Sequence, residues 1–348
     1  MNRYFKIASK GILLLASPFL ILYLALVFDF FGEHQKKGKV EEFSNPLAKS
    51  ISEKSDEKII LFGDLHVHTT YSLDAFLGNL PILEGEGTHP VSDACNFARF
   101  CANLDFFSIN DHAEYLTRRE WIETIESLRD CSDVSSEVDG SGIIPFLGWE
   151  WTQTSLDVDK HYGHKNVILK SLEENVPERP IGAPDHKFFK SIVDAPSYAL
   201  FGAMLYDYEN MSDYFNYRQR QLIIRNLKSC DEDVHVKDLP LDCLESAEEP
   251  SDLYRKLEEW DTDSLVIPHG SAWGNTSPPM ATWENQLDRK NHNPKYQNLI
   301  EIFSGHGNTE EFRNWEAFNE VNGKFDCPAP TENYLPDCFQ AGEIIRER

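Results

Sequence analysis

Short apolar runs that end in polar clusters recur along the chain. Ile59 to Phe62 runs into Gly63-Asp64-Leu65-His66-Val67-His68, and Leu104 to Ile109 into Asn110-Asp111-His112. Ile143 to Leu147 runs into Gly148-Trp149-Glu150, while Asn166 to Leu169 follows His161 and His164. Ser264 to Ile267 leads to Pro268-His269-Gly270, and Leu299 to Phe303 to Ser304-Gly305-His306-Gly307. Runs of this length with polar and glycine boundaries predict buried strands. Helical spacing lies between them. Val91 to Ala102 places Ala94, Phe97, Ala98 and Cys101 on one face, and Arg118 to Asp130 does so with Trp121, Ile125 and Leu128. Tyr206 to Leu227 and Leu253 to Trp260 are further helical stretches. Strands alternating with helices predict an α/β fold with a parallel sheet or barrel. The polar clusters then fall at strand C-termini, where such barrels place their chemistry. The Pro- and Asn-rich stretches 171–198 and 274–296 are expected to be long loops over that face.

The N-terminus has a different pattern. Arg3, Lys6 and Lys10 precede an uncharged run from Gly11 to Phe28, closing around Asp29 to Phe31. Its length, about 18 to 21 residues, matches the ~20 that span a bilayer as a helix. A cleaved signal peptide would have a shorter apolar region and a small-x-small site, which Leu24 to Phe30 lacks. The expected organisation is a cytoplasmic N-terminus at 1–10, a transmembrane anchor or signal at 11–31, a solvated Lys/Glu/Ser linker at 32–58, and a catalytic body at 59–348. The basic flank predicts a membrane-anchored protein with its body on the extracytoplasmic side.

Composition narrows the partners. With 41% hydrophobic and 12% aromatic residues among 348, the body can bury a core. A net charge of −25 argues against a nucleic-acid backbone as partner. Small anionic substrates stay open, because bound cations reverse the local sign. Seven cysteines fit an oxidising compartment, with one or two disulfides and a leftover thiol. Cys95, Cys101 and Cys131 share one segment; Cys230 with Cys243 and Cys327 with Cys338 are local pairs, and spacing alone leaves the connectivity open.

His66 and His68, two residues apart on a strand, point to one side. Two imidazoles aimed at one point suggest a metal ion. Asp111, His112, Glu150, His164, His269 and His306 stand at further run ends, with Asp64, Asp74 and His161 nearby. A mixed histidine and carboxylate set suits zinc, manganese or iron. Glu150 is the candidate to bridge two ions. Gly270-Ser271-Ala272-Trp273-Gly274 lacks the order of a nucleophile elbow, which makes a serine hydrolase a poor fit.

The set His66-Val67-His68 with Ser72, Ser108-Ile109-Asn110-Asp111-His112, Gly148-Trp149-Glu150 and Pro268-His269-Gly270 resembles the PHP (polymerase and histidinol phosphatase) superfamily of metal-dependent phosphoesterases. Gly63 to Thr69, Ala98-Arg99-Phe100-Cys101, Asn110 to Glu114, Phe146 to Thr152 and His161 to Val167 are similar to the bacterial domain-of-unknown-function 3604 family. The resemblance implies a PHP-like distorted (β/α)7 barrel and two or three divalent transition-metal ions. It implies that His66 and His68 bind one metal with Glu150, that Glu150 bridges to a second metal with His164, and that His112 and His269 hold a third. Glu150, His269 and Asp111 are then the catalytic group. His161 and His306 have no clear PHP equivalent; they are substrate-binding candidates, with a structural role as the alternative. The superfamily's final Asp-x-His does not follow His269, so the barrel is expected to be incomplete at its C-terminal end. The expected function is an exported, membrane-anchored phosphoesterase that uses a metal-bound hydroxide on a small, possibly phosphorylated molecule. Hydrolysis of C–N or ester bonds, and an inactive ligand-binding protein of the envelope, are the alternatives.

Overall fold

The computed structural model describes residues 17–42, 60–138, 143–155, 157–184, 195–270, 285, 288–304, 307–308, 319–321 and 324–326. Its main element is a curled half-barrel sheet of five strands. These are β1 (Gly63–Val67), β2 (Phe106–Ile109), β3 (Ile144–Gln153), β4 (Gly163–Leu169) and β8 (Ser264–His269), in the spatial order β1-β2-β3-β4-β8. The strands β1, β2 and β3 run parallel, in register Gly63↔Phe106 and Phe106↔Ile144. Parallel neighbours need long crossovers, and helices Val91–Phe100 and Arg118–Val138 supply them.

Beyond β3 the sheet reverses. Gly148 to Gln153 pairs antiparallel with β4, and β4 pairs antiparallel with β8. The described residues therefore form a mixed half-barrel, and the expected (β/α)7 barrel of parallel strands is corrected to that. Glycine is required at 148, where β3 changes partner. A Cβ there would come within 2.5 Å of the Val167 carbonyl oxygen and 3.0 Å of that of Ile109.

Three strand expectations shift. The first strand is Gly63–Val67, and Ile60, Leu61 and Phe62 before it are exposed. Glu150 lies inside β3, and His164 lies at the start of β4. The helix expected over 206–227 is Met211–Asn226, and a separate helix, Ser197–Tyr206, precedes it.

One apolar core lies against the sheet, with Trp121, Trp149, Trp151, Phe107 and Leu147 fully enclosed. A smaller sheet, β5-β7-β6 (Ile181–Gly182, Cys243–Ser246, Lys228–Ser229), flanks it. Among the described residues, Cys95–Cys131 joins the helices Val91–Phe100 and Arg118–Val138, Cys230–Cys243 closes the small sheet, and Cys101 is an exposed free thiol. Cys327 and Cys338 lie outside the described residues. Disulfides fit an extracellular protein.

The expected membrane anchor is also corrected. Among the described residues no helix is long and apolar enough to cross a membrane. Residues 17–27 are helical. This helix packs on the body. Ala25 and Leu26 are buried with Leu73, Phe76, Tyr214 and Phe215, and Tyr23 meets Phe201 edge to face at 5.2 Å. A membrane-anchored location through this helix is therefore unsupported; residues 11–16 of the expected span lie outside the described ones. Residues 33–42, expected in a solvated linker, are pinned to the body. Gln35 and Thr70 exchange hydrogen bonds, Arg99 donates to the Glu41 carbonyl at 2.7 Å, and Val40 joins the core.

Candidate metal centre

The alternation of β3 builds the site. Trp149 and Trp151 point to one face and donate their indole N–H groups to the carbonyls of Ile181 and Ala247. Glu150 and Thr152 therefore point to the other. Around Glu150, which is fully buried, five imidazoles converge. The Oε2 atom lies 3.0 Å from His68 Nε2 and 3.4 Å from His66 Nε2. The Oε1 atom lies 2.5 Å from His164 Nδ1, 3.4 Å from His269 Nε2 and 3.7 Å from His112 Nδ1. The reversal of β4 brings His164 here: its register puts His164 opposite both Thr152 and His269.

Two groups of three, sharing Glu150, could each hold a metal ion: His66 with His269, and His68 with His112. The resemblance implied a different grouping, in which His66 and His68 share one ion.

A hydrogen bond fixes the tautomer of the first ring. His66 Nδ1 lies 2.9 Å from the Glu301 carboxylate, which only accepts, so this nitrogen carries the proton. The Ser72 hydroxyl accepts from the His112 backbone N–H at 2.8 Å and lies 3.1 Å from His68 Nδ1. In a neutral ring His66 Nε2 then presents its lone pair 3.0 Å from His68 Nε2, and both nitrogens face the Glu150 carboxylate. Acceptors crowded in one place call for a positive charge between them. Outer nitrogens tied to a carboxylate or hydroxyl, with inner nitrogens facing one point, are also the arrangement that orients metal-ligating histidines. The donor set thus fits a divalent ion.

In the metal-free protein, protons meet the same demand. Burial lowers the His66 pKa, but Glu150 and Glu301 outweigh it and raise the group to about 10. Burial likewise opposes protonation of His112, and Glu150 and Asp74 raise it to about 10. Asp74 Oδ2 stands 3.3 Å from His112 Nε2. Burial raises the Glu150 pKa, but His112, His269 and His164 hold it well below the carboxylate range. Burial dominates at His164, lowering it to about 4.

Asp111 is fully buried outside both groups. Its oxygens accept from the Thr69 backbone N–H at 2.6 Å and the Thr69 hydroxyl at 2.7 Å, which clamps the turn behind His68. His161 is also buried outside them, its Nδ1 accepting from the Ser155 N–H at 3.3 Å, and burial lowers its pKa to about 4. His306 lies outside the described residues. Sequence reasoning missed Glu301, Thr152 and Glu114. The Thr152 hydroxyl contacts Glu150, His112 and His164 at 2.8, 3.0 and 3.1 Å. Glu114 Oε1 accepts from the Thr152 and Ala183 backbone N–H groups. Thr152, two residues after Glu150, was within reach of the same period-two rule that pairs His66 with His68.

Residues 55–140 match the model of a family described as a protein of unknown function, DUF3604. That segment carries His66, His68, Asp111 and His112, whereas Glu150, His164 and His269 lie beyond it. No curated protein and no solved structure matches the chain.

Proposed function

We propose that the chain is a metal-dependent hydrolase in which Glu150 is shared between two divalent transition-metal ions, and that its substrate is a small phosphoester. The observation that carries this reading is the convergence of His66 Nε2 and His68 Nε2, 3.0 Å apart, on the fully buried Glu150 carboxylate. His66 and His269 would hold one ion and His68 and His112 the other, with His164 beside them as a further donor. Zinc, manganese and iron suit such a histidine and carboxylate set. Ions held there supply Lewis acidity to an ester oxygen and activate water near neutral pH.

The chain's own groups do the positioning. Glu301, Ser72 and Thr152 fix ring orientations, and Asp111 holds the turn that carries His68. The choice of a phosphoester follows the resemblance to PHP proteins, an argument by analogy. The net charge of −25 supports a small-molecule substrate over a nucleic acid. Elemental analysis of the purified chain tests the reading, followed by a panel of phosphomonoesters, phosphodiesters, carboxylic esters and amides. Two bound ions and phosphate release are expected. A folded, disulfide-intact protein that binds no ion would overturn the reading, and turnover confined to esters or amides would replace the bond.

A further inference from the structure

A cavity of about 170 Å³ opens beside the metal centre. At roughly 15 Å³ per water-sized group, it has room for on the order of ten non-hydrogen atoms. Thr152 and Glu114 are both on its wall and both at the centre. The Thr152 hydroxyl lies 2.8 Å from Glu150 Oε1, and Glu114 Oε2 lies 3.8 Å from His112 Nδ1. Two backbone N–H groups occupy Glu114 Oε1, at 2.7 and 3.1 Å. Its Oε2 is buried and receives no hydrogen bond from the described residues. A carboxyl oxygen without a partner among them therefore lies at the junction of cavity and centre. Farther along, Ile224 and Leu244 give aliphatic surface and Ser246 a hydroxyl. Of the two carboxylates on the wall, Glu245 is already engaged by Lys256 Nζ at 3.5 Å and the Trp260 indole N–H at 3.3 Å, so Glu114 is the one that bears on a ligand. A carboxylate there disfavours a second anionic group on the ligand.

We propose that this cavity is the leaving-group subsite and takes a neutral, hydroxyl-bearing organic group of the sugar or polyol class, with one hydroxyl donating to Glu114 Oε2. The inference rests on the metal-hydrolase reading. Hydrolysis of such a monophosphate forms a bond from water oxygen to phosphorus and breaks the bond from phosphorus to the polyol oxygen. One proton of the water ends on that oxygen, giving the free polyol and inorganic phosphate. The aliphatic wall covers the C–H faces of the ring, while the small volume excludes nucleotides.

The test compares glucose 6-phosphate with acetyl phosphate, whose small leaving group does not need the cavity, on the manganese-loaded full chain. Ser246→Phe fills the cavity. It should lower kcat/KM for glucose 6-phosphate on the order of ten- to a hundredfold and leave acetyl phosphate unchanged. Equal loss on both substrates, or no loss on either, overturns the proposal. A second arm needs no metal: saturation-transfer NMR of free glucose, glycerol and myo-inositol with the metal-free chain. Binding is expected for at least one, and Leu244→Phe, on the wall away from the centre, should weaken it; this variant also serves if Ser246→Phe fails to fold. Binding by none of the three overturns the subsite. A chain that binds no metal overturns the hydrolase reading instead, with the NMR arm still deciding the cavity.

Discussion

Replacing Glu150 by Gln should abolish both metal sites at once, because one carboxylate serves both groups of ligands. The substitution keeps shape and one acceptor and removes the charge. At 4 Å and an effective dielectric of ~20, one charge pair is worth about 4 kcal/mol, and five ring nitrogens lie between 2.5 and 3.7 Å from this carboxylate. Removing one partner of a buried pair costs about 3–5 kcal/mol, so the metal-free variant should also be less stable. The imidazoles can lose their protons, which limits that cost. The cleaner readout is the stabilisation by metal. An ion present at a hundred times its Kd adds about 2.7 kcal/mol per site. At about 2 °C per kcal/mol for a chain of this size, each site raises Tm by about 5 °C. Calorimetry with and without zinc, beside elemental analysis, should give a two-site gain for the unmodified chain, none for Glu150→Gln, and about half for His269→Ala or His112→Ala. A Glu150→Gln variant that keeps one full increment would refute the shared carboxylate.

Glu301→Gln should weaken the ion on the His66 side by about 10- to 100-fold, since carboxylates behind ligating histidines carry that much affinity; titration calorimetry should show the His68 side unchanged. The histidines' contribution to the stability of the metal-free chain should be greatest near pH 6.5. His66 and His112 are raised to about 10 from 6.5, so their contribution is complete below pH 6.5 and fades as pH rises towards 10. His161 and His164 are lowered to about 4, so theirs is present above pH 6.5 and lost as pH falls towards 4. A Tm that climbs from pH 7 to 10 without metal would contradict this assignment. Replacing Cys95 and Cys131 by Ala should cost about 4 kcal/mol, from the loop entropy of a 36-residue separation, with metal stoichiometry retained in denaturant titrations at low denaturant.

The parts of the site legible in the sequence are those that local periodicity governs. His66 and His68 sit two apart around one strand, and His112, Glu150 and His269 each follow an apolar run, so their convergence needed only a sheet. Direction was not legible. Nothing in the run from Gly163 to Leu169 distinguishes a parallel strand from an antiparallel one, and the reversal of β4 decides that His164 meets His269 across paired strands. Glu301 was hidden for another reason. Its contact with His66 spans 235 positions, and its own surroundings, Leu299-Ile300 and Ile302-Phe303, read as an ordinary strand. The N-terminal helix was misread because hydropathy measures apolar content and not the partner that covers it. Leu26 is buried by Leu73, Phe76 and the helix Met211–Asn226 rather than by lipid. Arg220 of that helix, buried against Glu120 at 2.9 Å and donating to the carbonyls of Tyr71 and Tyr115, couples this second cluster to the turn beside the centre.

Whether two ions share Glu150 is decided by anomalous diffraction from crystals of the zinc-loaded chain, recorded at the zinc edge. Two peaks are expected, roughly 3.5–4 Å apart as in two-metal sites, one on each side of the Glu150 carboxylate, the first at His66 and His269 and the second at His68 and His112. No peak near Glu150, or a single peak that the carboxylate does not touch, would contradict the shared carboxylate.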